Sequence, residues 1–255
     1  MDDSGIGNTG RFAARPLTAG GTPAQVWLDT ERHLQPLDLA GCRELIVVGA
    51  HPDDETLGFG AHAAMLARRG IRVQVVSATD GGRSHPHLSL VRRRQLERTR
   101  RDELHRALGV LGLPPPISLG LPDGELAAHE GRLTDLLVEL LADRPGRTWC
   151  AATWRGDGHP DHEAVGRAAA AAASAAGMPL LEYPVWMWHW AVPGDPAVPW
   201  HRAHTVSPDA DATSRKAAAA AQFVSQFQPL EPGADPALPS FVLQRLIRIG
   251  EVVFR

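Results

Sequence analysis

The chain has 255 residues, 44% of them hydrophobic, which is enough to bury a sizeable core in one α/β domain. A balance of 26 basic against 29 acidic residues, net −3, offers no electrostatic footprint for nucleic acid. No run of about 18 apolar residues exists to span a membrane, and the nearest stretch, 168–176, is short and alanine-rich, as suits a packed helix.

Residues 1–7 are polar and acidic, without the basic and apolar regions of a signal peptide, so a cytoplasmic protein is expected. Cys42 and Cys150 lie far apart beside apolar runs and read as reduced core residues. Residues 1–40, rich in Gly, Pro and Thr, read as a flexible lead with a flanking helix over 23–33; 41–255 read as the main domain. No internal repeat or linker interrupts it.

From Leu45 the pattern alternates strand and helix. The run 45–48 is continuously apolar, as in a strand buried on both faces, and 58–69 has helical spacing up to Gly70. A strand over 73–77 ends at the Asp80-Gly81-Gly82 turn. The basic segment 88–111, with its Arg92-Arg93-Arg94 run, reads as a solvated helix pairing with Glu97, Asp102 and Glu103. Then follow a strand over 117–119, a turn over 121–124, a helix over 126–141, a strand over 149–153, a helix over 162–176 and a strand over 180–183. Such alternation predicts a mostly parallel sheet with helices on both faces. The tail from Pro184, with an alanine-rich helix over 211–227, is expected to return over the site and the sheet edge. Trp186, Trp188 and Trp190 alternate as on a strand face.

Two segments carry chemistry. Gly49-Ala50-His51-Pro52-Asp53-Asp54-Glu55 places one histidine and two adjacent carboxylates on a strand-to-helix turn, and such turns in open parallel sheets bind ligands. Gly158-His159-Pro160-Asp161-His162-Glu163 adds two histidines at a second junction of that kind. Imidazole and carboxylate together suit a borderline metal, and a further carboxylate beside them can serve as a base. His51 and Asp54, three residues apart, can both face such an ion, and His162 can complete the set.

These segments resemble the AHPDDE and HPDH motifs of the LmbE/PIG-L family of zinc-dependent N-acetylglucosaminyl deacetylases. The similarity extends over 45–226 and includes Arg100-Arg101-Asp102-Glu103, Leu121-Pro122-Asp123, and Lys216 ahead of Ser225-Gln226. It implies a Rossmann-like single domain with a C-terminal extension covering the site. It also implies one zinc per chain, with ferrous iron an alternative, held by His51, Asp54 and His162. Asp53 is then the general base towards zinc-activated water, and the metal compensates for the weakened basicity of a carboxylate near a cation. The competing role for Asp53 is a helix cap. His159 corresponds to the family's non-ligand histidine, and Asp161 is expected to hold it as an imidazolium that stabilises the oxyanion or protonates the amine.

The tyrosine that precedes the second motif in some relatives is absent, since Asp157 and Gly158 stand there and Tyr183 is the single tyrosine. Asp123 corresponds to a family contact for sugar hydroxyls, and Arg83 and Ser84 are expected on the same carboxyl edge. The expected substrate is a small N-acyl amino-sugar conjugate, with acetyl the leading acyl group. Neither nucleic acid nor membrane is a partner, and a homo-oligomer is compatible with the sequence. The alternatives are an amidase of a larger thiol-sugar conjugate and a non-catalytic sugar-binding relative.

Overall fold

The computed structural model describes residues 7–255 apart from 32, 33, 86, 145, 206 and 232. The readings of 1–6 and of the end of the 23–33 helix therefore lie outside the described residues. In chain order come α1 (Asn8–Ala13), α2 (Ala24–Leu28), β1 (Gln35–Pro36), β2 (Glu44–Gly49), α3 (Asp54–Arg68), β3 (Arg72–Thr79) and α4 (Leu90–Leu111). They are followed by β4 (Ile117–Leu121), α5 (Glu130–Ala142), β5 (Thr148–Thr153), α6 (Pro160–Ala175), β6 (Leu180–Tyr183) and α7 (Met187–Trp190). The remainder is β7 (Ala203–Thr205), α8 (Ala210–Ala220), α9 (Val224–Phe227), α10 (Ser240–Arg248) and β8 (Val253–Phe254).

The strands form one sheet in the order β1-β7-β8-β6-β5-β2-β3-β4. The pairings are parallel except where β8 runs antiparallel between β6 and β7. This is the expected Rossmann-like α/β arrangement. Every residue of β2 and β5 is buried, because helices cover both faces of the sheet centre. Leu45 and Val47 of β2 point into one core with α3 and α4, while Ile46 and Val48 point into the other with α5 and α6. The alternation follows from the two-residue period of a strand.

Three local expectations are corrected. The tryptophans at 186, 188 and 190 lie in and just before the single-turn helix α7, all buried, and a helix of four residues is too short to show its own period. The 211–227 helix is broken at 221–223: Phe223 is fully buried and the Ser225 amide turns to the Glu103 carboxylate (2.8 Å), which starts a new helix. The basic helix α4 does not pair along itself, since Arg101 bonds Asp80, Arg92 bonds Glu231, and Arg100 turns inward to Asp53.

The N-terminal segment is docked on the domain. Asn8 donates to the Gly156 carbonyl, Thr9 to Glu163, and Trp27 is fully buried with its indole N–H on the Trp188 carbonyl. Residues 35–36 add the edge strand beside β7.

Candidate metal centre and active site

The loops after β2 and β5 meet at the carboxyl edge of the sheet. These strands are neighbours, yet α3 leaves to one face and α6 to the other, so a crevice opens between them. His51 lies in the first loop and His159, Asp161 and His162 at the start of α6.

Asp54 opens α3, where the helix dipole favours an anion, and its Oδ2 accepts the His51 amide at 2.8 Å. Its two oxygens then face two rings: Oδ2 is 3.4 Å from His51 Nδ1 and Oδ1 is 3.1 Å from His162 Nε2. Ligand atoms of His51, Asp54 and His162 all lie within 4.8 Å of one another. Each ring is fixed from its far side. His162 Nδ1 bonds Asp157 Oδ2 at 2.8 Å, and Asp157 is itself held by the amides of Val185, Trp186 and Met187. His51 Nε2 lies 3.1 Å from Asp123 and 3.3 Å from Asp161. Carboxylates on the outer nitrogen are how ligating histidines are oriented.

His162 Nε2 is buried and has no aligned hydrogen-bond partner among the described residues, although Asp54 is close. Such an orphan costs about 1–3 kcal/mol unless something else occupies it. Two imidazoles and a carboxylate converging on one point fit zinc or ferrous iron. A second grouping, His51 with His159 and Asp161, is also close. There, however, Asp161 already accepts the amides of Gly124 (2.7 Å) and Leu126 (3.0 Å), so it is the poorer ligand set.

The electrostatics agree with a cation site. Burial disfavours a charged His51, but the hydrogen bonds its ring donates to Asp123, Asp161 and Asp54 overcome it and hold the ring well above its ordinary pKa. Burial likewise opposes charge on His162, yet Asp54 and Asp157 raise it to about 9. Without a metal the carboxylates recruit two protons, and a divalent ion brings the same charge while releasing them.

Asp53 occupies the cap position of α3, but its side chain makes no cap bond. Its φ of 146° is the one positive value among the described non-glycine residues. Burial lifts its pKa to about 7 against the pull of the Arg100 guanidinium, 3.2 Å away. Where no metal adds its field, dehydration of the buried carboxylate outweighs one neighbouring cation.

His159 is also corrected. The Asp161 carboxylate lies on the Gly124 and Leu126 amides and near His51; what reaches His159 is the Asp161 backbone N–H, which donates to Nδ1 at 3.2 Å. That bond assigns the ring proton to Nε2. Burial, followed by the charges on His162 and His51, pushes the His159 pKa down to about 3, so the ring is neutral. Phe12 of α1 packs against it, and the Phe12 ring lies in turn against Trp186.

These residues open onto a cavity of about 220 Å³ lined by His51, Asp53, Asp54, Asp123, His159, Arg83, Ser84 and Arg100, with Gln226 and an apolar group of Leu57, Val185, Trp186, Leu238 and Val242. The C-terminal extension thus supplies part of the wall. Both oxygens of Asp123 are engaged, one with His51 and one with the Arg83 amide (2.5 Å). The Arg83 guanidinium pairs with Glu125, and Ser84 Oγ meets His85 and Gln226. The sequence reading missed Asp157, Arg100 and Gln226 as site residues. The latter two stood inside the resembling segments, and nothing in the local pattern marks Asp157.

Residues 46–173 match the family model described as PIG-L, GlcNAc-PI de-N-acetylase. The chain is 36% identical over 151 residues to the 1D-myo-inositol 2-acetamido-2-deoxy-alpha-D-glucopyranoside deacetylase of Mycobacterium sp. (strain KMS), covering 50% of this chain and 49% of that protein. It is 28% identical over 138 residues to the diacetylchitobiose deacetylase of Thermococcus kodakarensis, covering 54% and 51%. It thus spans about half the length of the curated relatives it matches. The solved conserved protein TT1542 of Thermus thermophilus superposes with a TM-score of 0.57 at 28% identity, over 79% of this chain and 84% of that one.

Proposed function

The chain belongs to the PIG-L, GlcNAc-PI de-N-acetylase family, and on that premise we propose that it hydrolyses the N-acyl amide, acetyl first among acyl groups, of a glucosamine-type sugar conjugate. The observation that carries this reading is the set His51, Asp54 and His162, with the orphaned His162 Nε2, beside Asp53 at a cavity of monosaccharide size. A divalent ion held by these three side chains, zinc or ferrous iron, would supply Lewis acidity.

The chain's own groups do the rest. Asp53 takes the proton of the attacking water and passes it to the departing amine; its uncapped carboxylate is available for both transfers. His159, neutral with its proton on Nε2, donates to the carbonyl oxygen as charge develops there, a role that requires no tyrosine before the motif. Asp161 sets that tautomer through its backbone and, with Asp123, holds His51. Arg83, Ser84 and Gln226 offer polar contacts to the sugar, and the apolar lining suits the C–H face of a pyranose. The relatives named above act, by their names, on a GlcNAc-inositol and on diacetylchitobiose; N-acetylated glucosamine is the part they share.

The test couples metal analysis to release of free amine from a panel of N-acetylglucosaminyl conjugates. One divalent ion per chain and amine release are expected. Full metal occupancy in both His51→Ala and His162→Ala overturns the ligand set. Sugar binding without turnover in metal-replete protein would instead identify a non-catalytic relative, although such a module has no use for Asp53.

A further inference from the structure

Asp53 is the strained point of the molecule. At φ 146° and ψ −26° an L side chain crowds its own backbone, and surroundings must impose such a conformation. Around it lies a cation that the mechanism does not yet use. Arg100, in α4 and 2% exposed, donates Nη2 to the Pro52 carbonyl at 2.9 Å and Nη1 to the Gly81 carbonyl at 2.8 Å. The same Nη2 lies 3.2 Å from Asp53 Oδ2. One planar fork therefore grips the peptide that enters Asp53, the carboxylate of Asp53, and the turn after β3. A guanidinium can span three such acceptors in fixed directions, whereas an ammonium acts as a point charge.

The turn after β3 is shaped to admit it. Gly81 has φ +65°, and a Cβ there would collide with Arg100 Nη1. On the other side the Asp53 amide reaches Glu55 Oε2 by a long bond of 3.4 Å, and Glu55 is buried.

We propose that Arg100 is a positioning residue that pins the strained Pro52–Asp53 peptide and aims the Asp53 carboxylate into the cavity. The proposal rests on the reading of Asp53 as the base, and it acts through Asp53 without touching substrate.

A double-mutant cycle tests it in the full-length, metal-replete protein. Arg100→Met should lower kcat roughly 10- to 100-fold, the scale of an ångström of misplacement, with KM and metal content within twofold of the parent. Added to Asp53→Asn it should cause no further loss, since there is no base left to aim. A multiplicative loss in the double variant, an effect confined to KM, or an unchanged kcat overturns the proposal. Should Arg100→Met fail to fold, Arg100→Lys serves: it keeps the charge but not the fork, and a parental kcat in that variant overturns the proposal equally. Parental activity in Asp53→Asn alone would remove the base reading itself, an outcome visible before Arg100 is touched.

Discussion

Two clusters of buried charge flank α3, and they differ in how completely they are satisfied. At the start of the helix, His51, Asp53, Asp54 and His162 crowd together with Arg100, leaving His162 Nε2 and Arg100 Nε without aligned partners among the described residues. Two turns on, Glu251 accepts the amides of Ala61 (2.9 Å) and His62 (2.8 Å), the His62 ring (2.5 Å) and Lys216 Nζ (2.8 Å), and Lys216 also reaches the Leu246 carbonyl. The first cluster opens onto a cavity and contains the strained residue; no residue of the second lines it. Burial of charge is common to both, so burial does not mark a site. Unmet valence and strain beside a cavity do.

The comparison can be broken at the proposed metal ligands first. His162→Ala should abolish bound metal and reduce amine release below detection, while the thermal midpoint changes far less than activity; metal analysis and a melting curve on the same sample decide it. Asp53→Asn comes next, with metal retained and turnover lowered roughly 10² to 10⁴-fold. Near-parental turnover would leave Asp53 without a chemical role, since its side chain caps nothing.

His159→Gln should cost about 10² to 10³ in kcat, as for loss of one oxyanion donor. Because the His159 pKa is pushed down to about 3, its ring is neutral throughout the working range, and the alkaline limb of the pH–rate profile should survive the substitution. Disappearance of that limb would restore the imidazolium.

The smallest effect sharpens the other side. Burial raises the pKa of Glu251, but Lys216 and His62 more than reverse this and bring it down to about 2, from 4.5. A depressed folded-state pKa means stability that is present above about 4.5 and lost as pH falls towards 2, on the order of 3 kcal/mol in all. Glu251→Gln should remove most of that acid dependence in unfolding titrations and leave KM unchanged. An unaltered acid profile would show that the cluster contributes no linkage.

The two halves of the molecule were unequally legible in the sequence. The sheet centre was readable because 45–48 and 149–152 are apolar runs on strands buried from both sides, and the proposed ligands because His51, Asp54 and His162 sit within compact motifs at strand ends. Arg100 was not, since a helix with arginine at 92–94, 98, 100, 101 and 106 hides the one that turns inward. Its acceptors, the carbonyls of Pro52 and Gly81, lie 48 and 19 residues away. Asp157 was opaque for a related reason: its partners at 185–187 are main-chain amides, which leave no trace in side-chain pattern. The tryptophans misled because two-residue spacing also occurs by chance in a single helical turn.

Glu251 closes a loop of about 190 residues back onto the middle of α3. Contacts of such separation form late, because a large loop entropy must be met before they are gained. During synthesis, therefore, α3 emerges early and waits, with His62 unfastened, for a carboxylate made some three-quarters of a chain later. Slowly exchanging amides at Ala61 and His62 would record the moment of fastening. Chains halted before residue 251 would carry every proposed ligand and the base, yet lack the clasp that steadies the helix bearing them.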